Sequence, residues 1–218
     1  MTFGKILNVL KKNNFSNFIL PTGYKEHQIK QYLNKKIFRK FNLKIISTGV
    51  NTPIAKRIYK INKYIKSDNF LLLNGDAIFN FDLYKIYSEH IKNKKTYITF
   101  LGSETILPYG TITLSKEIVK SFERDVIFNA VKVSNKQQNT AHIYSGMAII
   151  RSKLITQKIK NFKNFETEFY PGIIKKFICK FKRIDGFWHS IDNIKDINIL
   201  KNDIYKNSQI NKLLKKLM

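Results

Sequence analysis

Residues Phe70-Leu71-Leu72-Leu73 run apolar without a break and end in Asn74-Gly75-Asp76. Such a run, closed by a small residue and an acid, predicts a parallel strand buried on both faces that opens into a loop. In open α/β sheets ligands bind beyond the carboxyl ends of the strands. Asp76 therefore falls where a carboxylate handling metal or phosphate would sit, and capping of the following turn is the other reading of that position.

The rest of the chain alternates around this run. Ile6, Val9 and Leu10 predict a helix ending near Asn13-Asn14, and Asn17–Leu20 predicts a buried strand broken by Pro21 and turned at Gly23. A helix over Glu26–Leu33 follows, then a strand over Leu43–Ile46 and a loop at Thr48–Pro53. Ile54, Ile58, Ile61 and Ile65 step at the spacing of an amphipathic helix. Beyond Asp76 the pattern predicts a helix through Leu83, Ile86, Tyr87 and Ile91, a strand at Tyr97–Leu101, and short β segments at Thr111–Leu114, Val126–Val133 and Ala141–Ile150. Helices return at Leu154–Ile159 and Glu168–Phe177, then a strand at Cys179–Ile184 and a helical region from Asp192 to Leu200. This alternation predicts an α/β fold with a doubly wound, mostly parallel sheet and a small β-rich insertion. One domain over 1–200 and a basic helical tail over 201–218 are expected of the 218 residues.

Lys+Arg number 40 against 15 Asp+Glu, a formal charge of +25. Such an excess favours a polyanionic partner. The lysines are spread along the whole chain, however, and a basic surface equally suits an enzyme of nucleotides and sugar phosphates. Nucleic-acid binding as the main function is therefore not expected. Cys179 is the single cysteine, so no intrachain disulfide can form, and a reducing, cytoplasmic setting fits. No apolar run approaches the roughly 18 residues of a membrane-spanning helix. The weakly apolar Ile6–Leu10 segment has no small-residue cleavage pattern after it, so neither membrane nor signal peptide is expected.

Six stretches carry more specific information: Gly23-Tyr24-Lys25 before the Ile29–Leu33 helix, Thr48-Gly49-Val50-Asn51-Thr52-Pro53-Ile54-Ala55-Lys56-Arg57-Ile58, Gly75-Asp76, Tyr109-Gly110-Thr111-Ile112, Tyr144-Ser145-Gly146-Met147, and Gly186-Phe187-Trp188-His189-Ser190-Ile191-Asp192 with Lys195-Asp196 behind it. In this order they resemble the motifs of the sugar-phosphate nucleotidyltransferases, and within them the glucose-1-phosphate cytidylyltransferase branch. The last stretch, similar to Gly-Phe-Trp-x-x-Met-Asp, is the most specific.

That resemblance implies a Rossmann-like, GT-A-like fold and transfer of a nucleotidyl group from an NTP, CTP favoured, to a sugar 1-phosphate with release of pyrophosphate. In-line attack on the α-phosphorus needs alignment and charge neutralisation. Mg²⁺ is the implied cofactor, held by one or two carboxylates and phosphate oxygens, and Asp76 and Asp192 match the family's metal positions. Arg57 is the implied basic catalytic contact. Lys25, Thr48, Gly49, Thr52, Gly75, Gly110, Gly146, Glu168 and Trp188 are the implied substrate-binding residues. Each has a plainer reading: Asp192 as a helix N-cap, Arg57 on a solvated helix face, Gly146 in a β-bulge. His189, beside Asp192, is read as packed rather than catalytic.

The departures are as informative. The family's opening strand and Gly-rich Leu-Ala-Gly-Gly-x-Gly-Thr-Arg-Leu loop, with the Lys-Pro after it, have no counterpart, and Met1–Leu7 enter the resemblance just beyond them. Without that strand, the Phe18 and Phe70 strands are expected either to leave a slot with unpaired backbone groups or to close together. Ala55-Lys56 replace the Gly-Gly before Arg57. Arg124 and Lys132 are rival substitutes for the family's sugar-phosphate lysine. Low or absent turnover is the expectation for a chain lacking the phosphate loop. The other readings are a non-catalytic nucleotide-sugar binder or partner subunit, a basic nucleic-acid-binding domain, and a glycosyltransferase of similar fold. A homo-oligomer is compatible with the basic tail.

Overall fold

Helix α1 (Thr2–Lys12) ends where Asn13 and Phe15 donate back to Val9 and Leu10. Asn14, at φ 65°, takes the left-handed turn that asparagine tolerates. The chain thereby reverses into β1 (Asn17–Thr22). The computed structural model describes residues 2–198 apart from 107–110, 116, 125, 129, 135, 136 and 195. The expected tail over 201–218 and Gly110 lie outside the described residues.

After β1, helix α2 (Glu26–Leu33) returns the chain so that β2 (Asn42–Ser47) pairs parallel with β1, Asn17 opposite Asn42 and Thr22 opposite Ser47. Helix α3 (Ile54–Ile61) leads to β3 (Asn69–Leu73), then β4 (Ala77–Phe81), α4 (Leu83–Lys92) and β5 (Ile98–Ile106). The β-rich insertion contains β6 (Thr111–Ser115) and β7 (Ile118–Glu123), which pair with each other, β8 (Ile127–Phe128) on β5, and the β9 (Ala130–Ser134)–β10 (Gln137–Thr140) pair. Strand β11 (His142–Arg151) runs into short 3-10 turns where a helix over Leu154–Ile159 is expected. A π-helical turn at Phe165–Phe169 then opens α5 (Tyr170–Ile174), and β12 (Cys179–Arg183) and β13 (Gly186–Ser190) follow.

The main sheet has the order β12-β5-β11-β3. β12 is parallel to β5, while β11 lies antiparallel between β5 and β3. β4 and β13 form an antiparallel ribbon that periodicity does not predict, because each is only five residues long and follows a motif-rich turn. The α/β architecture agrees with the sequence. The position of the Phe70 strand does not: instead of lying buried at the centre, β3 ends the main sheet, and its four apolar side chains are only half-buried. Of the two expected outcomes, the structure takes the open one, with β1–β2 and β3–β11 in separate sheets.

Three apolar clusters hold the elements together. Ile6, Val9 and Leu10 of α1 share one with Phe79, Phe81, Leu83, Met147 and Ile149. Ala55 and Ile58 of α3 share another with Ile98, Ile150, Phe165 and Phe169. Leu7, Leu33, Phe38 and Phe41 form the third over β1 and β2. Complete burial of a side chain such as Phe79 is worth about 1.5–3 kcal/mol. Among the described residues no helix is long and apolar enough to cross a membrane.

Candidate active site

The β4–β13 ribbon fixes the two acids. Ser190 lies opposite Ala77, and one step further the Ile191 N–H donates to the Asp76 carbonyl at 2.8 Å. Asp76 and Asp192 therefore leave the ribbon at the same end, and both are exposed. Asp192 Oδ1 accepts from Ser190 Oγ at 3.0 Å. The capping role expected as the alternative for Asp192 falls to its neighbours. Asn193 Oδ1 accepts from the Asp196 N–H at 3.3 Å, and Asp196 Oδ2 accepts from the N–H groups of Asn193 and Asp192 at 2.8 Å each. This reciprocal pair is a capping box, and it leaves the Asp192 carboxylate to Ser190 and solvent.

Gly146 and Trp188 close on the same end. The Asn74 N–H donates to Gly146 O at 3.0 Å, and Gly146 has a φ of 74°. A Cβ there would lie 2.8 Å from Asn74 Nδ2, so both the backbone angle and the close approach require glycine. The β11–β5 register shifts between Tyr144 and Met147, so the bulge reading of Gly146 and the close-approach reading describe one feature. Trp188 Nε1 donates to Ser145 O at 3.2 Å, and Ser145 Oγ donates to Leu101 O at 2.8 Å, which ties the Trp188 strand to the main sheet. The structure thus brings together Gly75, Asp76, Gly146, Trp188 and Asp192.

Thr48, Gly49, Thr52 and Arg57 form a second group at the carboxyl ends of β1 and β2. Arg57 Nε donates to Thr52 O at 2.8 Å, one terminal nitrogen to Thr22 O at 3.1 Å and Thr48 Oγ1 at 2.6 Å, and the other to Val50 O at 2.9 Å. Lys60 Nζ donates to Thr48 O, Thr52 Oγ1 to the same carbonyl at 2.6 Å, and Thr48 Oγ1 to Thr22 O at 2.7 Å. Arg57 is neither on a solvated face nor free toward a ligand: it clasps the Thr48–Pro53 loop to the end of β1. Lys25 sits at φ 54° at the start of α2, with its ammonium 5.4 Å from the centre of the exposed Tyr24 ring. Next to it, the Glu26 carboxyl is held down at about 2 by hydrogen bonds from Lys30, Ser47 and Thr22.

Glu168 does not face this site through a free carboxylate, since its Oε2 accepts the Lys163 N–H at 2.9 Å. The tyrosines beside it were not singled out from sequence. Tyr144, two residues before Gly146, meets Tyr170 hydroxyl to hydroxyl at 3.0 Å among Phe100, Phe165 and Phe169. Burial pushes the Tyr144 phenol up to about 12 and raises Tyr170 further. The crowd of aromatics over 165–170 was the available signal. His189 Nε2 is buried without a hydrogen-bond partner, in keeping with a packed side chain. Arg124 is exposed beyond β7, and the Lys132 side chain lies outside the described residues.

Among the described residues, no three His, Cys, Asp or Glu side chains gather as a metal centre. The two exposed carboxylates of Asp76 and Asp192 are a hard-oxygen donor set that suits Mg²⁺ completed by phosphate oxygens and water.

No family model matches the chain. The probable glucose-1-phosphate cytidylyltransferase of Bacillus subtilis (strain 168) is 25% identical over 213 residues, covering 88% of this chain and 79% of that protein. The D-glycero-alpha-D-manno-heptose 1-phosphate guanylyltransferase of Aneurinibacillus thermoaerophilus is 27% identical over 118 residues, 53% of this chain and 43% of that one. Among solved structures, HddC from Yersinia pseudotuberculosis complexed with GMP-PN superimposes with a TM-score of 0.65 at 22% identity, covering 90% of this chain and 83% of that one. In sequence the chain is similar to sugar-phosphate nucleotidyltransferases, and its α/β fold is the one these solved structures share. Within that class, its similarity spans cytidylyl- and guanylyltransferases.

Proposed function

We propose that this chain transfers a nucleotidyl group from an NTP to a sugar 1-phosphate, with CTP as donor, Mg²⁺ as cofactor and release of pyrophosphate, in the cytoplasmic synthesis of surface-polysaccharide precursors. The observation that carries the reading is the emergence of Asp76 and Asp192 side by side at the end of the β4–β13 ribbon. There the two carboxylates would hold a hard cation, which when bound neutralises phosphate charge. Gly75 and Gly146 would let backbone approach the ligand, Trp188 would wall the site, and Lys25 would meet phosphate. The length of the similarity to the Bacillus subtilis protein supports the cytidylyl assignment. The test is pyrophosphate release by the purified chain with Mg²⁺, comparing CTP plus glucose 1-phosphate with GTP plus heptose 1-phosphate. Turnover with the first pair alone supports the reading, and turnover with the second alone moves it to guanylyl transfer.

One observation favours a second reading, ligand binding without turnover. The guanidinium of Arg57 is engaged by the protein's own carbonyls and is not open to a phosphate. In that case calorimetry detects CDP-glucose binding while no pyrophosphate appears.

A further inference from the structure

Of the 15 Asp and Glu residues only Glu26 precedes position 68, while 15 of the 40 Lys and Arg do. The lysines are spread along the chain, but the acids are not. The part that builds α1, β1, α2, β2 and α3 therefore carries over half of the net charge, and its one acid is paired with Lys30. Some of this charge gathers at one end of the β1–β2 sheet. The 3-10 turn Lys36–Phe38, with Arg39 and Lys40, leads into the amino end of β2. Leu33, Phe38 and Phe41 pin that turn into the cluster of Leu7 on α1. Lys11, in the last turn of α1, donates to Lys40 O at 3.3 Å, and the Lys11 and Lys40 ammonium groups stand 5.8 and 5.2 Å from the centre of the Phe41 ring.

Lys11, Lys35, Lys36, Arg39 and Lys40 are all exposed, and among the described residues none is paired with a carboxylate. In their midst Ile37 is 62% exposed, next to Phe38 at 3%. Like charges without counter-ions repel one another, and an aliphatic side chain held out among them is left in water. An anionic lipid surface resolves both: its headgroups neutralise the cations, and the boundary with the acyl chains takes the isoleucine. Single-stranded nucleic acid, the other polyanion, asks for open aromatic faces on which bases stack. Here Phe38 and Phe41 are buried, Tyr32 has the Lys35 ammonium 5.1 Å from its ring centre, and the exposed apolar group is aliphatic.

We propose that this end of the β1–β2 sheet docks the protein on an anionic membrane surface, with Lys11, Lys35, Lys36, Arg39 and Lys40 on the headgroups and Ile37 inserted between them. Such docking needs no spanning helix. The six residues of β2 put about 20 Å between this end and Thr48. The carboxyl ends of β1 and β2 therefore face away from the membrane and stay open. The inference does not depend on the reaction proposed above.

The test is co-sedimentation of the full chain with vesicles of equal parts phosphatidylcholine and phosphatidylglycerol, against phosphatidylcholine alone, in about 0.1 M salt. Binding is expected to the mixed vesicles only. A cation near the surface contributes about fivefold, so K35Q, K36Q, R39Q and K40Q together should weaken binding by more than about a hundredfold. K94Q, K95Q, K120Q and K180Q together remove the same charge from exposed positions elsewhere, and should weaken it by less than about threefold. Ile37→Ser should cost about tenfold, for loss of one inserted aliphatic side chain. All these side chains are exposed, so the variants keep the fold, which circular dichroism checks. The proposal is overturned if the mixed vesicles do not retain the wild type, if the two fourfold variants lose binding equally, or if Ile37→Ser binds like the wild type. It is overturned in favour of nucleic acid if oligouridylate binds through the same four cations while the vesicles do not.

Discussion

The Ile191 N–H donates to the Asp76 carbonyl at 2.8 Å, and this one bond links the turn after β3 to the turn after β13. It works through backbone, so it fixes the chain at Asp76 and beside Asp192 without engaging either carboxylate. Asp76→Asn and Asp192→Asn should each lower pyrophosphate release by about 10²–10³, the scale for loss of one preorganised electrostatic contact. Circular dichroism and the melting temperature should stay at wild-type values. An equal loss of fold would show that the acids are structural.

Asp196→Ala should separate holding from handling. It removes the acceptor for two backbone N–H groups and opens the capping box around Asn193. A lost cap costs about 0.5–2 kcal/mol. The expected result is a lower melting temperature with a raised Mg²⁺ requirement, since the Asp192 turn is no longer fixed.

Arg57→Lys keeps the charge but cannot span Thr22, Thr48, Val50 and Thr52 at once. As a clasp, Arg57 predicts a loss of about 2–4 kcal/mol, from several charge-assisted hydrogen bonds, and faster proteolysis within 48–53 in the absence of substrate. As a phosphate contact it would predict a raised KM and an unchanged loop. Gly23→Ala should mimic the clasp defect, because its Cβ would stand 2.5 Å from Gly49 O and 2.7 Å from an Arg57 terminal nitrogen.

Gly146→Ala and Gly172→Ala should move stability in opposite directions. At Gly146 the new methyl meets Asn74 in a backbone conformation with φ 74°, so a loss of about 1–3 kcal/mol is expected. At Gly172, within α5, a Cβ meets nothing within 4 Å. Helix propensity there favours alanine by up to about 1 kcal/mol. Urea midpoints of the two variants measure the contrast.

The order of elements was legible because the helices and longer strands carry clear apolar periods. Ile58 and Ile61 do face the protein at their predicted spacing, while Ile54, at the start of α3, is exposed. Three things were not legible. The antiparallel entry of β11 between β5 and β3 depends on pairings between residues far apart in sequence, to which local pattern is blind. The short strand β13 was hidden inside a motif and β4 lay directly behind one, although their pairing is what joins Asp76 to Asp192. The clasp around Arg57 could not be foreseen either, since a motif gives a residue's identity and not which carbonyls surround it. Asp196, by contrast, had a readable sign: Asn193 followed three residues later by an acid is a helix-start pattern.

His90 gives a pH prediction independent of the site. It is 2% exposed on α4, with Nδ1 2.8 Å from Thr99 Oγ1 and Nε2 3.2 Å from Asn69 Oδ1, so it bridges β3 and β5. Burial and the nearby Arg151 charge hold its pKa down at about 4, against an ordinary 6.5. Between these values the unfolded chain binds a proton that the folded chain refuses. Stability from this group is therefore complete above pH 6.5 and is lost as pH falls toward 4, at no more than about 1.4 kcal/mol per pH unit. Glu26, held down at about 2, acts only below about pH 4.5 and leaves the upper part of that window to histidine. Urea midpoints from pH 7 to 4.5 should fall more steeply for the wild type than for His90→Gln, which keeps a polar side chain but cannot titrate. Parallel curves would mean that His90 is protonated in the fold, with Thr99 turning its hydroxyl oxygen to accept from Nδ1.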